Sequence, residues 1–152
     1  MPHPLDTFFA PQSIALIGAS RDSEKIPARL LSMLRKNEFP GSLYPVNPNY
    51  GDIDGLRCYP SIAAVGQPID LAIVMIPARA GLGALRECAA AGVKHAVIIS
   101  SGFAEEGGDS AAMQDAIAVR RSSNSITPPE ATIFSVPIRR PARTGRNRFG
   151  RM

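Results

Sequence analysis

The sequence has 152 residues, of which 45% are apolar, and a formal net charge of +4. This length predicts one folded domain, and no apolar run nears the ~20 residues that a membrane span needs. Residues 120–152 hold eight arginines and one glutamate, a net +7, which leaves −3 for residues 1–119. The basic character belongs to the tail, so nucleic-acid binding by the folded part is not expected. Because no apolar run is long enough to span a bilayer, membrane insertion is not expected either.

Four apolar runs predict β-strands, at residues 13–18, 42–46, 70–76 and 95–100. Each run is continuously apolar and does not alternate with polar residues, as is typical of parallel strands buried on both faces. Amphipathic segments lie between the runs. Strands that alternate with helices predict an α/β fold: a doubly wound, Rossmann-like and mostly parallel sheet with helices on both faces.

Helices are predicted at residues 26–37, 60–65, 79–91 and 109–119. In the first long helix a spacing of three and four residues predicts an inward stripe of Ile26, Leu30, Met33, Leu34 and Asn37. In the second long helix the same spacing selects Leu82, Leu85, Cys88 and Ala89. Gly92 follows as a natural stop signal.

Small residues, hydroxyls and prolines follow the four predicted strands, at the edge where such a sheet binds ligands. The candidate binding residues are Gly18, Ala19, Ser20 and Arg21; Asn47 and Pro48; Ile76 and Pro77; and Ser100, Ser101, Gly102 and Phe103. Each loop by itself is also compatible with ordinary turn or cap chemistry. No histidine–carboxylate pair and no nucleophile beside a base occurs among them, so the pattern predicts binding and no catalytic residue.

The loop after the first strand narrows the class of ligand. It has a single glycine, whereas a dinucleotide site has G-x-G-x-x-G and an acid about 20 residues later. Here that later position reads Val46-Asn47-Pro48, and no G-K-[ST] motif occurs anywhere. NAD and P-loop nucleotides are therefore disfavoured, and a different phosphate-bearing nucleotide, held by backbone N–H groups at a helix N-terminus, is favoured.

The cysteines and histidines give no sign of a metal site. Cys58 and Cys88 form no C-x-x-C motif, and His3 and His95 lie far from any cluster of cysteines or carboxylates. Two buried free thiols in a reducing compartment are expected. The first residues lack a basic region followed by an apolar stretch, so a cytoplasmic protein is predicted.

Several segments resemble one family in the order of its loops. "FFAPQSIALIGAS", "DLAIVMIPA" and "GVKHAVIISSGFAEEG", with "LYPVNPNYGDIDG" between them, resemble the CoA-binding domain of NDP-forming (ADP-forming) acyl-CoA synthetases. These enzymes are relatives of the succinyl-CoA synthetase alpha subunit. The resemblance spans about residues 7–119. It implies that coenzyme A is the cofactor, with its phosphates at residues 18–21 and the rest of CoA along the other three loops.

The resemblance also implies what else the full-length enzymes contain. They carry a second domain with a phosphorylated histidine and an ATP-grasp part, which is sometimes a separate subunit, and only there do ATP, ADP and magnesium act. This sequence departs from the family at Pro27, where a glycine is usual. Proline is tolerated in the first turn of a helix but removes one N–H donor.

The second departure is the tail, at which the resemblance stops near Arg120. The predicted organisation is an N-terminal extension at 1–12, a CoA-binding domain at 13–121 and an Arg-, Pro- and Ser-rich tail at 122–152. The tail is expected to lack the next strand of the sheet, either because it is disordered or because the reading frame changes near residue 120.

Two functions are consistent with this sequence. The first is a truncated piece of an ADP-forming acetate– or acyl–CoA ligase that binds CoA without catalysing the reaction. The alternative is a stand-alone CoA- or nucleotide-binding regulatory module whose basic tail recruits an acidic partner.

Overall fold

The computed structural model describes residues 6–100 and 132–137 of the chain. The helices are α1 (Asp6–Phe9), α2 (Ile26–Lys36) and α3 (Ala78–Ala90), with a 3-10 helix at Ala63–Val65. The strands are β1 (Ser13–Ile17), β2 (Ser42–Val46), β3 (Asp52–Ile53), β4 (Leu56–Arg57), β5 (Leu71–Val74), β6 (His95–Ser100) and β7 (Thr132–Pro137). Within this part of the chain no helix is long and apolar enough to cross a membrane.

Five strands form one parallel sheet in the order β2-β1-β5-β6-β7. The predicted α/β class and doubly wound sheet are confirmed, and the bounds of all four predicted strands lie within two residues of the observed ones. β1 is buried along its whole length. Parallel strands covered on both faces need no polar alternation, which is why the apolar runs identified them.

The residues of β1 divide between two apolar cores, one on each face of the sheet. Ala15 and Ile17 belong to a core that includes residues of α3. Ile14 and Leu16 belong to a second core with Leu31 of α2. Each helix layer therefore buries one side of the sheet, and the loops at the strand ends are held between the two layers.

The inward face of α2 differs from the predicted stripe. Leu31 is fully buried with Leu30 and Leu34 beside it, whereas Ile26 and Met33 are 51% and 57% exposed. The spacing of apolar residues fits two adjacent faces of this helix. Packing against the sheet selects the face that presents Leu30, Leu31 and Leu34, because burying these leucines removes more apolar area from water. In α3, Leu85 and Cys88 are buried as predicted, Ala84 joins them, and Leu82 and Ala89 are half-buried.

The strand β7 was not predicted from the sequence. It pairs with β6 in parallel from His95–Thr132 to Ser100–Pro137. The expectation that the tail lacks a strand to extend the sheet is therefore wrong for residues 132–137. The run is rich in β-branched and aromatic residues, which favour strands, but the surrounding arginines, serines and prolines obscured it. The other residues of 101–152, including the predicted helix at 109–119, lie outside the described residues.

An antiparallel hairpin of β3 and β4 covers the edge of β2. Its turn contains Asp54 and Gly55 with φ of +51° and +79°, as two-residue hairpin turns require. Beyond the hairpin, the N–H of Tyr59 donates to the carbonyl of Pro45 at 2.9 Å, and the N–H of Asn47 donates to the carbonyl of Tyr59 at 2.9 Å. The hairpin thus removes part of an exposed sheet edge and anchors the loop that follows β2.

Both cysteines are free and buried, as predicted. Cys58 lies in the α2 core and Cys88 in the α3 core, so the sheet separates them. Burial, and to a smaller extent the neighbouring Glu87 carboxylate, raise the pKa of the Cys88 thiol to about 12. Burial also raises the pKa of Cys58 above its ordinary value.

We expect both thiols of the native protein to resist alkylation by iodoacetamide at pH 8, because thiolates and not thiols react. Mass spectrometry of intact protein, native and in urea, measures this. Two added alkyl groups are expected in urea, and rapid native modification of Cys88 would contradict the buried geometry.

Candidate functional site

The connections of the sheet diverge at β1, because β2 lies on one side of β1 and β5 on the other. In open α/β sheets a crevice forms at such a switch point, outside the carboxyl ends of the strands, and it is the usual place for a ligand. Here those ends are Ile17 of β1 and Val74 of β5. The loops that begin with Gly18 and Met75 therefore border the expected crevice.

Gly18 brings these two loops into direct contact. Its backbone adopts φ +90°, and an added Cβ would lie 2.5 Å from the carbonyl oxygen of Met75 and 2.8 Å from Cγ2 of Ile76. Its N–H donates to the carbonyl of Val46 at 2.9 Å. Only glycine combines this dihedral angle with this approach, so Gly18 fixes the floor of the crevice.

Asn47 ties the loop after β2 to the loop after β1. Its Nδ2 donates to the carbonyl of Ala19 at 2.8 Å, and its Oδ1 accepts the N–H of Asn49 at 2.9 Å. Both ends of the side chain are thus engaged within the protein. Asn47 holds the loops of the crevice in place.

A crevice of about 530 Å³ opens above these loops, within the range of small-molecule sites. The sheet-edge loops, the segment before the 3-10 helix and one face of α3 line it: Ile17, Gly18, Val46, Asn47, Pro48, Asn49, Pro60, Ser61, Ile62, Ile76, Ala80, Gly83, Ala84 and Glu87. Four of the predicted binding residues, Gly18, Asn47, Pro48 and Ile76, therefore meet in one place.

The remaining residues of the first loop are arranged differently. Ala19 and Ser20 are buried, and the Ser20 hydroxyl accepts the N–H of Asp22 at 3.1 Å. Arg21 turns away from the crevice: its Nη2 donates to the carbonyl and carboxylate of Asp52 at 2.7 and 2.8 Å, and its guanidinium lies over the ring of Tyr50 at 5.3 Å. Arg21 lines a different groove beside α2.

The other predicted site residues lie at two more strand ends. Pro77 is the N-cap residue of α3, directly after Ile76 in the loop that follows β5. Ser100 ends β6, and Ser101, Gly102 and Phe103 lie outside the described residues. Helix α2 begins at Ile26, after a polar turn, and not directly after Ser20.

Sequence reasoning missed one wall of the crevice. Ala80, Gly83, Ala84 and Glu87 of α3 share one face of the helix at spacings of three and four, opposite Pro60 and Ser61. Three small residues in that spacing are a signal visible in the sequence. Only the packing of α3 beside β5 shows that this face borders the crevice, since small residues are equally common where a helix packs closely.

His95 lies at the opposite edge of the sheet. It begins β6, it is buried, and its Nε2 is 2.8 Å from the hydroxyl of Thr7 in α1. His95 therefore lies at the amino end of β6, whereas the candidate ligand loops follow the carboxyl ends of the strands. Among residues 6–100 and 132–137, no group of three histidine, cysteine or acidic side chains could hold a metal ion.

A crevice at the switch point of the parallel sheet β2-β1-β5-β6-β7 is the ligand-binding arrangement typical of doubly wound α/β domains. Residues 12–132 match the family described as a CoA binding domain, and the chain belongs to that family. The membership expected from the loop motifs is confirmed. The match continues past Arg120, where the motif resemblance had ended, to the first residue of β7.

Two of the similar proteins are an ADP-forming ligase and an ADP-forming ligase subunit. The chain is 47% identical over 103 residues to the ADP-forming acetate–CoA ligase II of Archaeoglobus fulgidus, which covers 68% of this chain and 15% of that protein. It is 39% identical over 103 residues to the alpha subunit of the ADP-forming acetate–CoA ligase II of Pyrococcus furiosus, covering 68% of this chain and 22% of the subunit.

A solved structure of an acetyl-coenzyme A synthetase is also similar to this chain. The apo form of the dinucleotide-forming acetyl-coenzyme A synthetase 1 of Candidatus Korarchaeum cryptofilum superposes with a TM-score of 0.70 and 39% identity. That match covers 78% of this chain and 25% of the synthetase chain. This chain therefore spans about a quarter or less of the length of these relatives, and it is similar to one part of them.

Proposed function

We propose that this chain binds coenzyme A in the crevice at the carboxyl ends of β1, β2 and β5. The observation that carries the proposal is the crevice at the switch point, which Gly18 borders where it contacts the loop after β5. The chain that forms this crevice belongs to the CoA-binding family. The proposed contacts are the backbone of residues 18–21, the loops at Asn47–Pro48 and Ile76–Pro77, and residues 100–103.

The described residues fit such a ligand in two respects. A Cβ on Gly83 would meet no atom within 4 Å, so α3 presents a flat wall against which a ligand can lie. Among residues 6–100 and 132–137, the N–H groups of Ala19 and Ser20 donate to no protein acceptor, and such amides are donors that phosphate oxygens accept.

We further propose that the chain supplies the CoA-binding part of an ADP-forming acyl-CoA ligase and does not catalyse that reaction alone. The ADP-forming acetate–CoA ligase and the ligase alpha subunit among its relatives support this role. ATP, ADP and magnesium would then act in further domains or in a separate ATP-grasp subunit. A cytoplasmic location and the two origins suggested for the tail stay predictions.

We expect CoA to bind more tightly than NAD, because no acid follows β2 to hold a ribose diol. Isothermal titration calorimetry with both ligands at one salt concentration measures this. NAD binding that equals or exceeds CoA binding would contradict the proposal.

Two tryptophan variants on α3 locate the site. Ala80→Trp places a large ring in the crevice and should weaken CoA binding at least tenfold. Ala90→Trp is the matched control, because Ala90 is an exposed alanine of the same helix that does not line the crevice. Equal CoA affinities in both variants, with unchanged melting temperatures, would place the ligand elsewhere.

A further inference from the structure

Charge is unevenly distributed around the crevice. Among the fourteen described residues that line it, Glu87 is the one with a formally charged side chain. Glu87 is exposed and lies one turn beyond Gly83 on the same face of α3. The α3 end of the crevice is therefore neutral except for one anionic group.

Two basic side chains of the first loop and α2 are engaged with other partners, outside the crevice. Arg21 binds Asp52, and Arg29 donates to the carbonyl of Ser23 at 3.1 Å and to the carboxylate of Glu24 at 3.3 Å. Both arginines line the separate groove beside α2. Neither lines the crevice, and its lining within residues 6–100 contains no arginine or lysine.

A phosphate close to Glu87 would meet a like charge, and none of the described lining residues is a cation that could offset it, so this position is unfavourable for a phosphate. A neutral group that carries N–H donors meets an acceptor instead, and a hydrogen bond to a carboxylate is stronger than one to a neutral oxygen. CoA contains two such neutral parts, namely the adenine ring with its amino group and the pantetheine arm with its two amides.

We infer that Glu87 is a specificity-determining residue: it excludes anionic groups from the α3 end of the crevice and accepts a hydrogen bond from an uncharged N–H-bearing part of the ligand. This inference rests on the proposed CoA binding and assigns the orientation of the ligand. The phosphates lie toward the amides of the first loop, and a neutral part of CoA lies along Ala80 and Gly83.

The test compares Glu87→Gln with Glu38→Gln. Both changes remove one negative charge from an exposed glutamate, but Glu38 lies beyond the C-terminus of α2 and does not line the crevice. Titration calorimetry is carried out with CoA, with adenosine 3′,5′-bisphosphate, which lacks the pantetheine arm, and with 4′-phosphopantetheine, which lacks adenine. Thermal melting confirms that the variants are folded.

Glu87→Gln is expected to weaken CoA binding about three- to tenfold, the difference between a charge-assisted and a neutral hydrogen bond, while Glu38→Gln stays within twofold of the parent. The loss should recur with one fragment, which identifies the part of CoA beside Glu87. Unchanged or tighter CoA binding by Glu87→Gln, or an equal loss with both fragments, would overturn the inference. If the parent itself does not bind CoA, the proposed function fails first.

Discussion

Replacement of Gly18 by alanine is expected to lower the free energy of unfolding by about 3–5 kcal/mol, the upper range for single substitutions. Two costs add at this position. A φ of +90° is unfavourable for a residue with a Cβ, and that Cβ would lie 2.5 Å from the carbonyl oxygen of Met75. The carbonyl belongs to the backbone, so relief requires the loop after β5 to move away from β1. Urea unfolding followed by circular dichroism measures the loss.

Two other glycines separate these costs. Gly55 has φ +79° but open space around its Cβ position, so Gly55→Ala should cost only about 1 kcal/mol of backbone strain. Gly83 lies in α3 with neither clash nor positive φ, and Gly83→Ala should stabilise the helix by up to about 1 kcal/mol. If Gly18→Ala destabilises the protein no more than Gly55→Ala, the close approach of the two loops is wrong.

Replacement of Asp70 by alanine is expected to lower the free energy of unfolding by about 2–4 kcal/mol, because it removes a charged acceptor from two partly buried hydrogen bonds. Asp70 is buried at the start of β5. Its Oδ2 accepts the N–H of Gln12 at 2.8 Å, and its Oδ1 is 2.8 Å from Nζ of Lys94. Asp70 thereby connects the segment before β1 to the segment before β6. Lys94 is half-exposed, so its ion pair with Asp70 accounts for only part of the expected loss of stability.

The pH dependence of stability provides a second test of Asp70. Burial of its carboxyl raises the pKa, but the hydrogen bonds from Lys94 and Gln12 outweigh burial and hold the pKa below the ordinary value of 3.8. The stabilisation is therefore complete above that ordinary value and is lost as the pH falls through the lower folded-state pKa.

The experiment measures unfolding in urea from pH 7 to pH 3. The free energy of unfolding of the parent should fall near pH 3. Asp70→Asn should be less stable than the parent at pH 7, and its stability should fall less as the pH is lowered. Asp54→Asn, at the exposed hairpin turn, is the control and should follow the parent. A parallel decline in Asp70→Asn and the parent would assign the acid sensitivity to other carboxyls.

The sequence predicted those residues of the candidate site that directly follow a strand. Gly18 ends one apolar run, and Asn47 and Pro48 follow another. Because parallel strands end at the same edge of the sheet, the sequence predicts that these residues lie near Ile76. Arg21 was less predictable, because its long side chain can reach either side of the loop, and the hairpin carbonyl and carboxylate of Asp52 determine which side it takes. Glu87 was not found, since nothing local distinguishes it from another exposed glutamate on a helix.

The sequence by itself determined the alternation of strands and helices, the parallel sheet and the membership of the CoA-binding family. These properties depend on short-range patterns, namely continuous apolar runs, turn residues and loop motifs. Tertiary structure decided the face of α2 that is buried, the strand at Thr132–Pro137, and the side chains that line the crevice. Each of these depends on partners distant in the sequence: Leu31 is buried by the sheet, and β7 is ordered by pairing with β6. A marginal apolar segment gains the energy of burial and hydrogen bonding only when such a partner is in place.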